Sequence, residues 1–259
     1  MIYITGDIHG SIDIKKLDFE QIDGRSLTND DYLIITGDFG FPFFTTDTID
    51  FPLSNRSLCD ARDSYLYWIN WLSEKPYNIL WIDGNHDNHP YWDKTDTVEW
   101  NGGKINRHPL AHNVIHLKRG EYFEIDGKTF WTMGGAMSHD RNRRIEGFTW
   151  WREEVPSMRE MQHGTDVLDM HGNSVDFILS HAMPNDMIPI VLGRHFPDAD
   201  PTSMYFNEIY RRTKFRYWFC GHYHSDVRND ICRIQVLYNN IVCLDDYLTT
   251  VKNIRTRNF

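Results

Sequence analysis

The sequence predicts a layered α/β fold with buried strands whose carboxyl ends meet at one edge. Two observations predict it. Five short apolar runs along the 259-residue chain each end in polar residues with lone pairs, and the segments between them show helical spacing or strong turn signals. The five runs are residues 2–5, 32–36, 79–82, 175–179 and 215–220.

These near-continuous apolar runs are typical of strands that are buried on both faces. The simplest interpretation is a central sheet that is covered on each side. In such sheets, ligand sites lie just beyond the carboxyl ends of the strands. The polar residues that this arrangement gathers at one edge are Asp7, His9, Asp38, Asn85, His86, His181, His222 and His224.

Two helices are predicted between the strands. Over residues 61–72 apolar side chains recur at helical spacing, and Pro76 limits the segment. Further along the chain, Asp200 is typical of an N-cap and Pro201 of a first helical position, which predicts a helix that runs toward Arg212. Helices of this kind supply the cover that a buried sheet needs.

Turn and capping signals mark the remaining parts of the chain. Asp126-Gly127 lies between two strand-like runs and is a strong hairpin signal, and Asn239-Asn240 predicts a second turn. The run from Ser157 to Glu160 reads as a capping box. Because no linker or repeat interrupts the chain, we predict one domain over residues 1–259, with a lid or insertion at 136–172.

Composition and charge limit the classes of function. Hydrophobic residues make up 41% and charged residues 25% of the chain, as in globular proteins, and no apolar run is long enough to cross a bilayer. The net charge of −10 disfavours tight binding of a long nucleic acid, which depends on many cationic contacts. A small phosphorylated substrate is compatible with that charge, because bound metal ions can outweigh it locally.

Neither the cysteines nor residues 1–5 indicate a functional site. The cysteines show neither zinc spacing nor the density of a disulfide scaffold, so we expect buried thiols at Cys59, Cys220, Cys232 and Cys243. Residues 1–5 are apolar and lack the basic region and cleavage site of a secretory signal, which predicts a cytoplasmic location. The sequence leaves the oligomeric state open.

The residues at the predicted edge have the chemistry of a site for two divalent cations. Such a site needs carboxylate oxygens, imidazole nitrogens and one ligand that bridges both ions, and it can supply the hydroxide that attacks a phosphate ester. Asp38 is the expected bridge, because Gly40 follows it and lets the backbone stay close. Mixed oxygen and nitrogen ligands suit manganese, iron, zinc or nickel, and we expect manganese first.

The order of these motifs resembles the calcineurin-like metallophosphoesterase family over about residues 1–225. One Gly-Asp pair would mean little, but five motifs in order at strand ends are a specific signal. The resemblance implies a sandwich of central β-sheets flanked by helices, with the metal site at the strand C-terminal ends. The motifs are Asp7-x-His9, Gly37-Asp38, Gly84-Asn85-His86-Asp87, a later His181 and Gly221-His222-x-His224.

The resemblance also implies a role for each of these residues. The first ion would be held by Asp7, His9, Asp38 and His224. The second ion would be held by Asp38, Asn85, His181 and His222. His86 would contact the phosphate and protonate the leaving oxygen, while the neutral amide of Asn85 coordinates metal.

One departure from related protein phosphatases concerns the residues after Asp38. In those enzymes a further Asp and an Arg follow, which orient the histidine and bind phosphate, whereas Gly40 and Phe41 stand here. Asp87 is a candidate orienting partner for His86 in their place. The Gly-His-x-His ending is closer to the phosphodiesterase and nuclease branches of the family.

Residues 136–157 form the most distinctive stretch outside the motifs. One interpretation is a lid or wall that brings Arg141, Arg143 and Arg144 to the substrate phosphate and aromatic rings to its leaving group. The alternative is a loop that is packed by its own aromatic residues, with solvated arginines. The other histidines show no pairing that demands a metal, with His139 and His195 nearest to motifs.

The function we expect from these residues is two-metal hydrolysis of a phosphodiester or phosphomonoester by a metal-bound hydroxide, on a small or nucleotide-like substrate. Within the enzyme class, a protein phosphatase and a nuclease are the alternatives. Outside it, the alternative is a metal-depleted scaffold of the same fold. A scaffold is free to lose ligands, and none is missing from the motifs.

Overall fold

The computed structural model describes residues 1–18, 26–43, 55–196, 199–245 and 247–248, and it gives only the path of the helix for residues 55–61. Two sheets make up the centre of the described fold. The first contains β1 (Ile2–Thr5), β2 (Tyr32–Thr36), β3 (Asn78–Ile82), β4 (Thr97–Trp100), β5 (Gly103–His108), β6 (Ala111–Leu117) and β13 (Val242–Cys243). The second contains β7 (Tyr122–Ile125), β8 (Lys128–Met133), β9 (Phe177–Ser180), β10 (Tyr217–Cys220), β11 (Val227–Asn229) and β12 (Ile234–Val236).

The order of strands places the motif-bearing strands at the middle of each sheet. The first sheet runs β13-β1-β2-β3-β6-β5-β4, and the second runs β11-β12-β10-β9-β8-β7. Strands β1, β2 and β3 are parallel to one another, as are β9 and β10. Their carboxyl ends therefore emerge side by side within each sheet.

Helices cover the outer faces of the sheets. The described helices are α1 (Asn55–Ser73), α2 (His89–Asp93), α3 (Met158–Met170), α4 (Ile188–Leu192) and α5 (Pro201–Arg212). Short 3-10 turns lie at Ile14–Leu17, Arg141–Arg143, Arg152–Glu154 and Asn185–Met187. Ile69 and Leu72 of α1 pack in one cluster with Trp81 of β3, and Phe206 of α5 packs in another with Trp218 of β10.

A third apolar cluster joins the two sheets face to face. Ile34 and Leu80 from the first sheet belong to the same buried cluster as Phe177 and Phe219 from the second. Alternate residues of one strand point to opposite faces, so Leu33 meets the helix side while Ile34 meets the other sheet. The result is a four-layered α/β/β/α sandwich.

The layered α/β sandwich is confirmed, but the five apolar runs divide between two sheets instead of forming one. The reason is that a strand covered by a helix on one face and by a sheet on the other is as apolar as one covered by helices on both. The pattern of apolar residues along a strand indicates that both faces are buried, but it does not indicate whether a helix or a sheet covers each face.

Two predicted helix starts and one predicted hairpin are confirmed. The Asp200 side chain accepts a hydrogen bond from the Thr202 N–H at the start of α5, and Ser157 forms its capping box with Glu160 at the start of α3. Asp126-Gly127 is the turn of the β7–β8 hairpin. The segment at Asn239-Asn240 instead connects β12 of one sheet to β13 of the other. Among the described residues, no helix has the length and hydropathy that a membrane crossing requires.

Candidate metal centre

The structure brings all the predicted metal ligands to one edge, where the carboxyl ends of strands from both sheets meet. Each ligand follows directly on a strand, so its position is fixed by the sheet behind it. From the first sheet come Asp7 and His9 after β1, Asp38 after β2 and Asn85 after β3. From the second come His181 after β9, and His222 and His224 after β10.

The four residues predicted for the first ion form one half of this centre. His9 Nε2 lies 3.2 Å from Asp38 Oδ2, and His224 Nε2 lies 3.5 Å from Asp7 Oδ2. The imidazole rings of His9 and His224 are 5.0 Å apart. His9 Nδ1 lies 2.8 Å from the Asp13 carboxylate, and this contact directs Nε2 toward the centre.

The second half contains the other predicted ligands. Asn85 Oδ1 lies 3.0 Å from His181 Nε2 and 3.0 Å from His222 Nδ1. His181 Nδ1 donates a hydrogen bond to the Thr36 carbonyl at 2.9 Å, which aims Nε2 at the cluster. The Asn85 amide donates to Ser138 Oγ at 3.0 Å, so its oxygen faces the imidazoles.

Asp38 connects the two halves. Its Oδ2 faces His9, as described above, while its Oδ1 lies 3.3 Å from His181 Nε2. The same Oδ1 accepts a hydrogen bond of 2.7 Å from the His86 backbone N–H, which holds the carboxylate in place. A carboxylate with one oxygen toward each histidine group has the arrangement that a bridging ligand needs.

The donor set fits divalent cations. His9 Nε2 is buried and has no hydrogen-bond partner among the described residues, although a carboxylate oxygen is 3.2 Å away. Asp7, His9 and His224 place their ligand atoms within 4.8 Å of one another, as do Asp7, Asp38 and His181. Imidazole nitrogens together with carboxylate and amide oxygens are ligand types that suit divalent transition metals.

His86 also lies within reach of this centre. With His9 and Asp38 it forms a third group whose ligand atoms lie within 4.8 Å of one another. Its ring centroid is 5.6 Å from that of His9. Position alone is therefore compatible with either metal binding or proton transfer for this histidine.

The two buried carboxylates create a strongly negative site. Burial opposes the charge of Asp38, but the nearby His181 and His86 outweigh it and hold the pKa of Asp38 well below its usual value. For Asp7, burial prevails and raises the pKa, and the negative charge of Asp38 adds to the effect. Two such carboxylates need nearby positive charge to remain ionised together.

Two histidines supply that charge in the metal-free chain. Burial lowers the pKa of His9 and of His181, but the adjacent Asp38 carboxylate more than offsets it. The pKa of His9 is raised to about 9, and that of His181 to about 10. His222 behaves differently, because burial, reinforced by the charge of His181, lowers its pKa well below the usual value.

The backbone of the ligand-bearing loops is strained. Residues other than glycine seldom adopt positive φ, and such strain persists where the surrounding structure enforces it, often at functional sites. Four predicted ligands adopt it, namely His9 (42°), Asp38 (50°), His222 (68°) and His224 (47°).

Close approach of the loops explains two glycines of the motifs. A Cβ on Gly84 would lie 2.1 Å from Asp38 Oδ1, and a Cβ on Gly221 would lie 2.0 Å from Asp7 Oδ1. Any side chain at either position would displace a carboxylate. The glycines are therefore part of the metal-site geometry rather than turn residues alone.

Asp87 does not orient the His86 ring, contrary to the role considered from the sequence. Its carboxylate is buried and accepts hydrogen bonds of 2.7 Å from the backbone N–H groups of Gly40 and Gly84. Asp87 thus ties the loop after β2 to the loop after β3. Among the described side chains, the nearest polar partner of His86 Nε2 is Arg144, whose Nη2 lies 3.4 Å away.

The three predicted substrate arginines lie in different environments. Arg144 is held near His86 by hydrogen bonds from its Nε to Asp140 (2.7 Å) and from its Nη1 to the Thr149 carbonyl (3.2 Å). Arg141 forms an ion pair of 2.6 Å with the buried Glu154. Arg143 is exposed.

A cavity of about 400 Å³ opens beside the centre. Its polar wall contains His9, His86 and Arg144, and its apolar wall contains the rings of Phe41 and Tyr65. A cavity of this volume is in the range of small-molecule sites. One predicted metal ligand, His9, thus shares this space with His86, the expected proton donor, and with Arg144.

Asp83 precedes the third motif but belongs to a separate ion pair. Its Oδ2 lies 2.5 Å from Arg119 Nη2, and its Oδ1 lies 3.3 Å from His116 Nε2. Burial opposes its charge, but Arg119 and the surrounding histidines hold the pKa of Asp83 well below its usual value. Because Arg119 already neutralises this carboxylate, Asp83 is unsuited to bind a metal ion.

Sequence reasoning missed several residues that support the ligands. Asp13 follows His9 by four residues, and this spacing was the only available signal. The sequence contains no signal that identifies Ser138 or Lys16 as a supporting residue. The Lys16 ammonium group donates hydrogen bonds to the backbone carbonyls of Gly6 and Asp7, and these bonds fix the turn after β1.

The remaining sequence predictions concern two histidines outside the motifs and the four cysteines. His139 stacks on Phe196 with ring centroids 5.3 Å apart, and 6.2 Å separate it from the His222 ring. His195 is exposed. Cys220 and Cys232 are buried free thiols and Cys243 is a partly buried one, whereas the Cys59 side chain lies outside the described residues.

Comparison with known proteins identifies the same family that the motifs resemble. A family model described as calcineurin-like phosphoesterase matches residues 1–226. No curated protein matches the chain. The matched region contains every predicted metal ligand, while β11, β12 and β13 lie beyond it.

We expect metal binding to release protons at pH 7. His9 and His181, with pKa values of about 9 and about 10, are protonated there and must lose the Nε2 proton to bind a cation. Affinity should therefore rise with pH between 7 and the higher of the two values. Calorimetric titration with Mn²⁺ in buffers of different ionisation enthalpy would measure about one proton from each histidine. Binding without proton release, at an affinity independent of pH, would contradict the protonated state.

Proposed function

The chain belongs to the calcineurin-like phosphoesterase family, and from this membership we propose that it is a metal-dependent enzyme that hydrolyses a small phosphate ester. The observation that carries the proposal is the position of Asp38, which presents one oxygen to His9 and the other to His181. The convergence of both sheets on this carboxylate supports a centre for two divalent ions.

The proposed ligands divide as the family resemblance implies. Asp7, His9 and His224 with Asp38 would hold one ion, and Asn85, His181 and His222 with Asp38 would hold the other. Bound ions would activate a water molecule for attack and offset the charge of the phosphoryl group. Manganese is the first candidate, with iron, zinc and nickel as alternatives.

His86 is the proposed proton donor to the leaving oxygen. Burial lowers its pKa, which favours the neutral ring in the free chain. The negative charge of a phosphate ester in the adjacent cavity would favour the protonated ring. This coupling would deliver the proton only when substrate is bound.

Arg144 is the proposed contact for the non-bridging oxygens of the substrate. Of the three predicted substrate arginines, it alone lines the cavity beside the metal centre, together with His9 and His86. Two anchoring hydrogen bonds hold its guanidinium group there. A planar guanidinium group suits phosphate geometry.

The cavity supports a small substrate with an apolar or planar leaving group. Its volume of about 400 Å³ is in the range of small-molecule sites, and Phe41 and Tyr65 offer aromatic surface. The net charge of −10 disfavours long nucleic acid. Protein phosphatase and nuclease activities are therefore the less favoured alternatives within the family.

The metal-depleted scaffold is the alternative from another class. A scaffold would be free to lose ligands, whereas every predicted ligand is present and turned toward the centre. We also propose that residues 136–172 form the wall of the cavity that carries Arg144.

The proposal is tested by assaying metal-stripped protein on a panel of phosphomonoesters and phosphodiesters while adding back one metal at a time. We expect activity only with divalent ions. Asp38→Asn should weaken both sites and abolish activity, because it removes the shared charge. Asp176→Asn is the matched control, since Asp176 bonds to Thr129 away from the centre. Full metal content and turnover in Asp38→Asn would contradict the bridge.

His86→Ala should lower kcat by about 10²–10⁴-fold for poor leaving groups while most of the metal stays bound. Its effect should shrink for good leaving groups, which need little protonation. Metal content by elemental analysis and rates on a leaving-group series would be measured. An equal loss across the series would remove the proton-donor role, and loss of an ion would assign His86 as a ligand.

Arg144→Ala should raise KM or lower kcat without changing metal content, because it removes a charge that faces the cavity. Arg144→Lys should recover only part of the activity, since lysine lacks the planar fork. Arg143→Ala is the matched control, because Arg143 is exposed in the same segment. Wild-type steady-state kinetics in Arg144→Ala would show that this segment is only a packed surface loop.

A further inference from the structure

We propose that Tyr238 is a positioning residue that holds the two histidines of the first metal site, His9 and His224. The inference rests on the proposed metal-dependent function and assigns a role outside the family-matched region, which ends at residue 226. The family match therefore carries no information about Tyr238.

The imidazole of His224 needs another side chain to hold its orientation, because it is exposed. Its side chain is 53% exposed, whereas the carboxylate that it faces, Asp7, is fully buried. Among the described residues, the other predicted ligands are all buried or partly buried. An exposed imidazole samples several rotamers, and ordering it on metal binding would cost affinity.

Tyr238 supplies that support through its ring. The rings of Tyr238 and His224 are stacked, with centroids 4.6 Å apart and an angle of 11° between their planes. The same tyrosine ring meets the His9 ring edge-on at 6.5 Å. One aromatic side chain therefore limits the rotation of both histidines that bind the first ion.

The hydroxyl group of Tyr238 acts on the same pair by a second route. It donates a hydrogen bond of 3.3 Å to Asp13 Oδ2, the oxygen that lies 2.8 Å from His9 Nδ1. A carboxylate behind a metal-binding imidazole fixes the orientation of the ring and the position of its proton. Tyr238 thus holds the carboxylate that orients His9.

The tyrosine is itself firmly anchored. The Asp226 carboxylate accepts backbone hydrogen bonds from Tyr238 (2.8 Å), Asn239 (3.0 Å) and Asn240 (3.0 Å). Lys16 bonds to the carbonyls of both Tyr238 and Asp7, which joins this segment to the loop after β1. The Thr5 hydroxyl donates to the Asn240 carbonyl at 3.0 Å. A side chain on such a rigid turn is suited to position another.

The second site does not depend on Tyr238. His181 is held by the Thr36 carbonyl, and Asn85 is held by Ser138. His181 and Asn85 lie in the fully enclosed part of the centre. The proposal therefore predicts a selective effect on one ion.

The test is titration of the metal-stripped 259-residue chain with Co²⁺, in which absorbance reports each binding step. His224→Ala first identifies the step that belongs to the first ion. Tyr238→Leu should weaken that step by about 10- to 100-fold, as expected for loss of an orienting partner. The other step should keep its wild-type affinity and spectrum. Tyr238→Phe, which keeps the ring, should give a smaller loss at the same step.

Tyr210 provides the matched control. It is a partly buried tyrosine whose hydroxyl donates a 3.0 Å hydrogen bond to the Cys232 carbonyl, and its ring packs on Phe215. Tyr210→Leu and Tyr210→Phe should leave both Co²⁺ steps unchanged. Wild-type binding in Tyr238→Leu, or equal weakening of both steps, would overturn the proposal. A wild-type chain that binds fewer than two ions would instead contradict the proposed function.

Discussion

The described centre depends on two carboxylates, Asp7 and Asp38, that are buried almost completely where two sheets meet. Charge in such a place is stable only beside opposite charge, and the neighbours within the described centre are imidazoles. Protonated His9 and His181 neutralise the carboxylates in the metal-free chain. Divalent ions would replace those protons, so the same electrostatic demand accounts for the metal-free chain and for the proposed metal-bound one.

Loops from both sheets are tied together to place these groups. The His222 N–H donates to both oxygens of Asp7 across the sandwich, at 3.0 and 3.1 Å, and the His181 ring reaches the Thr36 carbonyl of the opposite sheet. Asp87 ties neighbouring loops of the first sheet through backbone N–H groups. These hydrogen bonds, together with glycines that permit contact, enforce the strained backbone of four ligands. The fold itself therefore fixes the ligand geometry.

The sequence predicted this centre because each ligand lies at a strand end, where local pattern and chemistry coincide. It could not predict that Leu33 and Ile34 face a helix layer and a second sheet, because both environments are apolar. The sequence also could not distinguish Arg144 from Arg143. The two arginines are adjacent, and only the folded loop decides that Arg144 lines the cavity while Arg143 is exposed. Tyr238 and Ser138 were out of reach for another reason. Tyr238 bonds to Asp13 and Ser138 to Asn85, which lie far away in sequence, and neither Tyr238 nor Ser138 belongs to a motif.

The central claim is that Asp38 lies between two metal ions. Diffraction data at the manganese absorption edge, from crystals of the chain grown with Mn²⁺, would test it most directly. The account predicts two anomalous peaks about 3.5–4 Å apart. One should lie beside His9 and His224 and the other beside His181 and Asn85, with Asp38 touching both. A single peak, or peaks that do not contact Asp38, would contradict the account.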